Sequence, residues 1–147
     1  MFTVADIMTT ELYTLTPEDS LQEARELMAR HHIRHLPIVT SEEELVGLVT
    51  HRDILAAADS TVLASPEARG AVENLIALST VMTEVVSTVD EGAHLRGVAL
   101  YLQKHKVGCL PVLRDGSLVG IITDSDFVSV AINLMEQMED SEPFEYD

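Results

Sequence analysis

The stretch Gly47-Leu48-Val49-Thr50-His51-Arg52-Asp53 ends an apolar run on a threonine and sets an aspartate three residues later. The chain writes it again as Gly120-Ile121-Ile122-Thr123-Asp124-Ser125-Asp126. Outward from this pair the likeness continues. A shift of 74 residues lays Ile7-Met8-Thr9 on Val81-Met82-Thr83, Thr14 on Thr88, Leu21 on Leu95, and Leu36-Pro37-Ile38 on Leu110-Pro111-Val112. One residue is then lost, and Leu45-Val46-Gly47 falls on Leu118-Val119-Gly120. The order of features never changes, which marks a tandem repeat: two halves of one fold and two related sites.

Within the first half, residues 12–15 read as a short extended segment. Thr16-Pro17-Glu18-Asp19 reads as a helix start, with a capping threonine, proline in the first turn and an acidic third position. Leu21, Ala24, Leu27 and Met28 supply an apolar stripe at helical spacing, and the helix is expected to end near His32. Residues 33–39 and 45–50 read as strands, and residues 51–58 as a closing helix. The second half repeats this order: an extended segment at 85–89, a helix from 91 to about 104, and strands at 107–113 and 118–123. Asp115-Gly116 forms the turn between those strands, since this pair accepts the positive φ values of a tight hairpin. Each half is thus predicted to be β-α-β-β-α. Residues 59–78 connect the halves as a helix starting at Ser65-Pro66-Glu67, with Val72, Leu75 and Ile76 on its apolar side. The final helix carries a stripe of Phe127, Val130, Ala131, Leu134, Met135 and Met138. It serves either its own half or a partner, since methionine-rich faces suit adaptable contacts. The domain reading is therefore 1–58 and 79–138 for the repeats, 59–78 for the connector and 139–147 for an acidic tail.

The bulk numbers narrow the function. The 147 residues, 46% hydrophobic and 23% charged, suffice for one buried core or two small ones sharing a fold. No apolar run approaches the roughly 18 residues that span a bilayer. Residues 1–6 show neither a basic region nor an apolar signal core, and the single Cys109 suits a reducing compartment, so a cytoplasmic location is expected. The net charge of -16 repels phosphate backbones and anionic lipids, arguing against nucleic-acid or membrane binding. An anionic ligand would need a local cluster of cations.

The duplicated pattern resembles a pair of CBS domains, the Bateman module. The residues that carry the resemblance are Asp6-Ile7-Met8-Thr9 and Val81-Met82-Thr83, the proline strands Ile33-Arg34-His35-Leu36-Pro37-Ile38 and Val107-Gly108-Cys109-Leu110-Pro111-Val112, and the two closing Gly-x-x-Thr-x-x-Asp signatures. It covers the chain from Val4 to about Met138. It implies an α/β (α+β) fold of two βαββα repeats packed about a pseudo-twofold axis, with adenosine-ligand clefts between them and common homodimerisation. It also implies regulation by AMP, ADP, ATP, S-adenosylmethionine or NAD, in a protein of the stand-alone type.

The signature has two roles to fill. Thr50 can cap the following helix while Asp53 returns a hydrogen bond, as in a capping box, and Thr123 and Asp126 can do the same. By resemblance these four residues also bind ribose and phosphate, a carboxylate being suited to accept from two adjacent hydroxyls. Adenine is implied to lie near Thr9 and Tyr13 in one half and Thr83 and Ser87 in the other, with Ile33 and Val107 lining the clefts. Which half lends its residues to which cleft stays open. The two sites differ in charge. Arg34, His35, His51 and Arg52 surround the first signature, where the second has Gly108, Cys109, Asp124 and Ser125. Arginine–phosphate hydrogen bonds are strong and often bidentate, so a nucleotide phosphate is expected at the first site. The second is expected to take an uncharged or cationic adenosyl compound, or nothing.

No catalytic residues emerge: there is no nucleophile–base arrangement, no phosphate loop, and no pair of carboxylates set in a cleft. His31, His32 and His35 straddle a helix end and lack further ligands, so no metal is expected. Cys109 reads as a small buried thiol. The leading function is a regulatory module that senses an adenosyl ligand and signals to an unidentified protein. A structural or oligomerisation module without a physiological ligand is the alternative, and a small metabolic enzyme comes third.

Overall fold

The computed structural model describes residues 2–58, 65–84 and 86–141. The chain groups into two compact units that cut across the repeats. One combines Met1–Glu11, Thr88–Arg114 and Val119–Asp147, and the other combines Leu12–Ser87 and Asp115–Leu118. Each unit holds the body of one repeat together with the lead segment of the other.

In the unit built on the first repeat, helix α2 (Leu21–His31) starts four residues later than Thr16-Pro17 suggests. Ser20 Oγ accepts from Glu23 N at 3.1 Å and the Glu23 carboxylate accepts from Ser20 N at 3.2 Å, a complete capping box. Thr16 instead opens a turn, donating its N–H to the Asp19 carboxylate at 2.7 Å. The helix ends at His32, whose left-handed backbone (φ 55°) turns the chain into the sheet. Strands β1 (His35–Val39) and β2 (Leu45–Thr50) pair antiparallel from His35↔Thr50 to Val39↔Leu45. Pro37 is buried inside β1, and its carbonyl accepts from Leu15 N at 3.3 Å, where residue 15 adds a parallel bridge to Ile38. Helix α3 (His51–Ala58) follows with the expected bounds. Leu21, Ala24, Met28, Leu36, Ile38, Val49, Ile54 and Leu78 form the core.

Residues 59–64 lie outside the described part. Helix α4 (Pro66–Glu73) is capped by Ser65, whose Oγ accepts from Ala68 N at 3.2 Å. Of the three apolar side chains expected to face inward, Ile76 packs half-buried against the first core from beyond the helix end, while Val72 is exposed. Leu75 lies beyond the helix and is 84% exposed, while Glu73 is buried and ion-paired to Arg25 of α2 at 2.8 Å.

The unit built on the second repeat has a three-stranded sheet in the order β3-β4-β5: β3 (Val89–Asp90), β4 (Cys109–Arg114) and β5 (Ser117–Thr123). β3 runs parallel to β4, with Val89 beside Val112. Asp115 (φ 49°) and Gly116 (φ 83°) make the hairpin turn that the Asp-Gly pair anticipates. Helix α5 (Leu95–His105) also starts four residues late, because Asp90 first folds a turn, accepting from Gly92 N at 2.8 Å. Val4, Leu95, Val98, Leu102, Leu110, Val112 and Ile122 form the core. Helix α6 (Asp124–Ser141) packs Phe127 against it. Val130 and Ala131 are half-buried, and Leu134, Met135 and Met138 are exposed. Residues 142–147 of the acidic tail lie outside the described part.

The lead segments complete these cores. Helix α1 (Val4–Ile7) places the fully buried Val4 in the second repeat's core, and the 3₁₀ turn Leu78–Thr80 places Leu78 in the first. Each segment then bridges the strand after the signature glycine with two backbone hydrogen bonds. Thr9 and Ile121 exchange bonds of 2.8 and 2.9 Å, and Thr83 and Leu48 exchange bonds of 2.9 and 3.0 Å. The glycines explain themselves here. A Cβ on Gly47 would stand 2.6 Å from Met82 Sδ and 3.1 Å from the Thr83 carbonyl; on Gly120 it would stand 2.6 Å from Met8 Sδ and 3.1 Å from the Thr9 carbonyl. The repeated Met-Thr and the repeated glycine are two sides of one contact.

Candidate functional site

Each signature sits where a strand runs straight into a helix, and each is described within its own unit. At the first, Thr50 N donates to Asp53 Oδ2 at 2.9 Å and Asp53 N donates to Thr50 Oγ1 at 3.1 Å. This is the reciprocal capping box expected from the sequence. Asp53 Oδ1 has no hydrogen bond among the described residues. The hairpin brings the basic residues to this point: His35 stands opposite Thr50 in the β1–β2 register, and His51 N donates to the Arg34 carbonyl at 2.8 Å. Arg34, His51 and Arg52 are exposed, and neither arginine has an ion-pair partner among the described residues. Ile33 is half-buried against the first core, as is Tyr13, whose ring stacks on His31 with centroids 3.8 Å apart. Thr83 arrives beside Leu48 through the bridge described above and leaves its side chain exposed; Ser87 is also exposed. Thr83, from the second repeat's lead, therefore belongs with Thr50 and Asp53.

At the second signature the frame is kept and the contents change. Thr123 N donates to Asp126 Oδ2 at 2.8 Å, and the Thr123 hydroxyl lies 3.4 Å from the same oxygen. The Thr9 hydroxyl donates to Asp126 Oδ1 at 3.1 Å, so Thr9 belongs with this signature although it stands 117 residues away. Tyr13, by contrast, packs against the first repeat's core, in the unit that holds Thr50 and Asp53. Val107 is half-buried against the second core. Asp124 N donates to the Gly108 carbonyl at 3.1 Å, the counterpart of the His51–Arg34 bond.

Electrostatics follow the residue swap. The Cys109 thiol is pushed up to about 12 from 9.0, first by burial and then by the negative charges of Asp126 and Asp124. It is buried, as the sequence suggested, and stays protonated at neutral pH. Where the first site gathers cations, the second surrounds its threonine with carboxylates. Among the described residues no group of three or more His, Cys, Asp or Glu is placed to hold a metal ion, and no helix is long and apolar enough to cross a membrane.

Sequence reading missed the pairing of lead segment and signature. The shared 74-residue shift of Met-Thr and glycine was the available clue, but nothing local says that each Met-Thr covers the other repeat's glycine.

Comparison with known proteins identifies the family. The CBS domain family matches residues 4–60 and 78–133. The chain is similar to a Vibrio cholerae protein described as an acetoin utilization protein (AcuB), at 44% identity and TM-score 0.83 over 95% of this chain and 98% of that one. It is similar to a CBS domain pair solved with 5-methylthioadenosine and S-adenosyl-L-methionine, at 28% identity and TM-score 0.75 over 91% and 98% of the two chains. A third similar structure, CBSX2 in complex with AMP, gives 29% identity and TM-score 0.75 over 92% and 99%. Inosine-5'-monophosphate dehydrogenase of Staphylococcus aureus is 34% identical over 120 residues, which are 80% of this chain and 22% of the enzyme. The chain thus spans about a fifth of that curated relative. With two matched repeats, two sheets and the α/β architecture of solved pairs, the chain belongs to the CBS domain family as a tandem pair, the Bateman module.

Proposed function

We propose that the protein is a regulatory module that binds an adenosyl ligand and signals its occupancy to another protein. The observation that carries this reading is the first signature: a capped Thr50–Asp53 pair, with one carboxylate oxygen free of hydrogen bonds among the described residues, set among Arg34, His35, His51 and Arg52. Asp53 Oδ1 is available to a ribose hydroxyl, Thr50 and the helix start offer polar contacts to phosphate, and the arginines supply charge-assisted hydrogen bonds. Thr83, Ser87, Ile33 and Tyr13 are the side chains we assign to the nucleoside end. The first site takes AMP, ADP or ATP. The second, with Thr123, Asp126, Thr9 and Val107, takes an uncharged or cationic adenosyl compound such as S-adenosylmethionine. The complexes of related pairs with AMP and with S-adenosylmethionine support both classes of ligand.

The protein acts in the cytoplasm as a homodimer. Val128, Ile132, Leu134, Met135 and Met138 give α6 an apolar surface that a second copy can cover. The 44% identity to the acetoin utilization protein supports seeking the regulated partner in acetoin metabolism.

Thermal unfolding with AMP, ADP, ATP, NADH and S-adenosylmethionine tests the reading. At a ligand concentration 100 times Kd, specific binding adds about 2.7 kcal/mol of stability. No response to any of the five would favour a purely structural module.

A further inference from the structure

We propose that Thr9 is a latch on the second signature site, its hydroxyl holding the carboxylate oxygen that a ribose diol would otherwise read; this rests on the ligand-binding reading given above. The two copies supply the comparison. Asp53 and Asp126 each turn Oδ2 toward the backbone N–H of their threonine, at 2.9 and 2.8 Å. They differ at Oδ1. In the first copy it has no hydrogen bond among the described residues. In the second it accepts from Thr9 Oγ1 at 3.1 Å. Thr83, the counterpart of Thr9, makes the same backbone bridge to its strand. No hydrogen bond joins its hydroxyl to Asp53.

A vicinal diol binds a carboxylate by donating two hydrogen bonds, and it competes with any donor already there. At the second site a ribose hydroxyl meets a donor already on Asp126 Oδ1, and rotation of the Thr9 side chain about χ1 clears it while the two bonds between Thr9 and Ile121 keep its backbone in place. The latch sets selectivity. A ligand that offers only a phosphate gains nothing by opening it, and the neighbouring Asp124 disfavours such a ligand further. A nucleoside whose diol replaces the threonine bond recovers what it displaces. Thr9 therefore tunes affinity by its competition for Asp126.

The experiment is calorimetric titration of the full chain with adenosine. In an Asp53→Asn background only the second site keeps its carboxylate. There, Thr9→Val and Thr9→Ala are expected to tighten adenosine binding about fivefold, the equivalent of one ordinary hydrogen bond, and Thr9→Ser to keep the parent affinity. Thr83→Val in an Asp126→Asn background is expected to produce no gain in adenosine affinity at the first site, since no hydrogen bond joins Thr83 to Asp53 there. Loss of structure gives weaker binding, so a gain in affinity is a readout that a merely structural role for Thr9 cannot produce. Unchanged or weaker binding in Thr9→Val and Thr9→Ala overturns the latch, as does Thr9→Ser behaving like Thr9→Val, or Thr83→Val tightening the first site equally. If the parent chain and all variants bind neither adenosine nor AMP, the ligand-binding reading falls and the latch with it.

Discussion

Thr50–Asp53 and Thr123–Asp126 are the same device with different surroundings, and the contrast separates scaffold from specificity. What is shared is what the backbone needs: a glycine under the Met-Thr lead, a threonine at the strand end, and an aspartate that receives the threonine N–H. What differs is what faces outward. Arg34, His51 and Arg52 stand where the second copy has Gly108, Asp124 and Ser125. The hydrogen bonding differs too. Thr50 caps its helix through Oγ1 and, among the described residues, Asp53 Oδ1 has no hydrogen bond, whereas Thr123 turns its hydroxyl toward Asp126 and Thr9 takes the remaining oxygen.

The largest expected effect tests the shared part. Gly47→Ala and Gly120→Ala each force a Cβ against a methionine and a backbone carbonyl, and each should cost about 2 kcal/mol in denaturant unfolding. Unequal losses would break the symmetry claimed for the two contacts. Next comes the divergent part. Asp53→Ala should weaken AMP binding at least about tenfold by calorimetry, roughly 1.4 kcal/mol, while Asp126→Ala leaves it nearly unchanged. Equal losses would remove the assignment of phosphate to the first site. The caps give a smaller contrast. Thr50→Ala should destabilise by about 1 kcal/mol, an ordinary N-cap loss. Thr123→Ala should cost less than half as much, because its hydroxyl makes no bond to the Asp126 N–H.

The smallest effect reads the local field. The folded Cys109 holds its proton up to about 12, so its contribution to stability is complete below pH 9, where the unfolded thiol is also neutral. That contribution declines as pH rises from 9 toward 12, since only the unfolded chain then releases the proton. Alkylation of the native protein at pH 8 should accordingly be slow, and faster in Asp124→Asn if that carboxylate contributes as described.

The local parts of this fold were legible in the sequence. The bounds of α3, the turn at Asp115-Gly116 and the Thr50–Asp53 capping box are each decided within a few residues, and they match. The start of α2 was misread for an equally local reason. Thr16-Pro17-Glu18-Asp19 and Ser20-x-x-Glu23 are both plausible caps, and the first closes a turn instead. The bond from Thr9 to Asp126 spans 117 residues and leaves no periodicity behind. The swap of cations for carboxylates between the sites was visible. The structure adds that Arg34 and His51 meet across a backbone hydrogen bond, as do Gly108 and Asp124.

The exchanged lead segments carry a consequence for any attempt to divide the protein. A cut in the connector would yield two fragments, each bearing the other's missing piece: residues before Glu11 would dangle from the first, and the first would lack the Leu78 plug and the Met82-Thr83 cover over Gly47. A lone repeat could satisfy the same contacts only by lending its leader to a second copy and borrowing one in return. Duplication within one chain turns that reciprocal loan between molecules into an intramolecular one, which no dilution can undo.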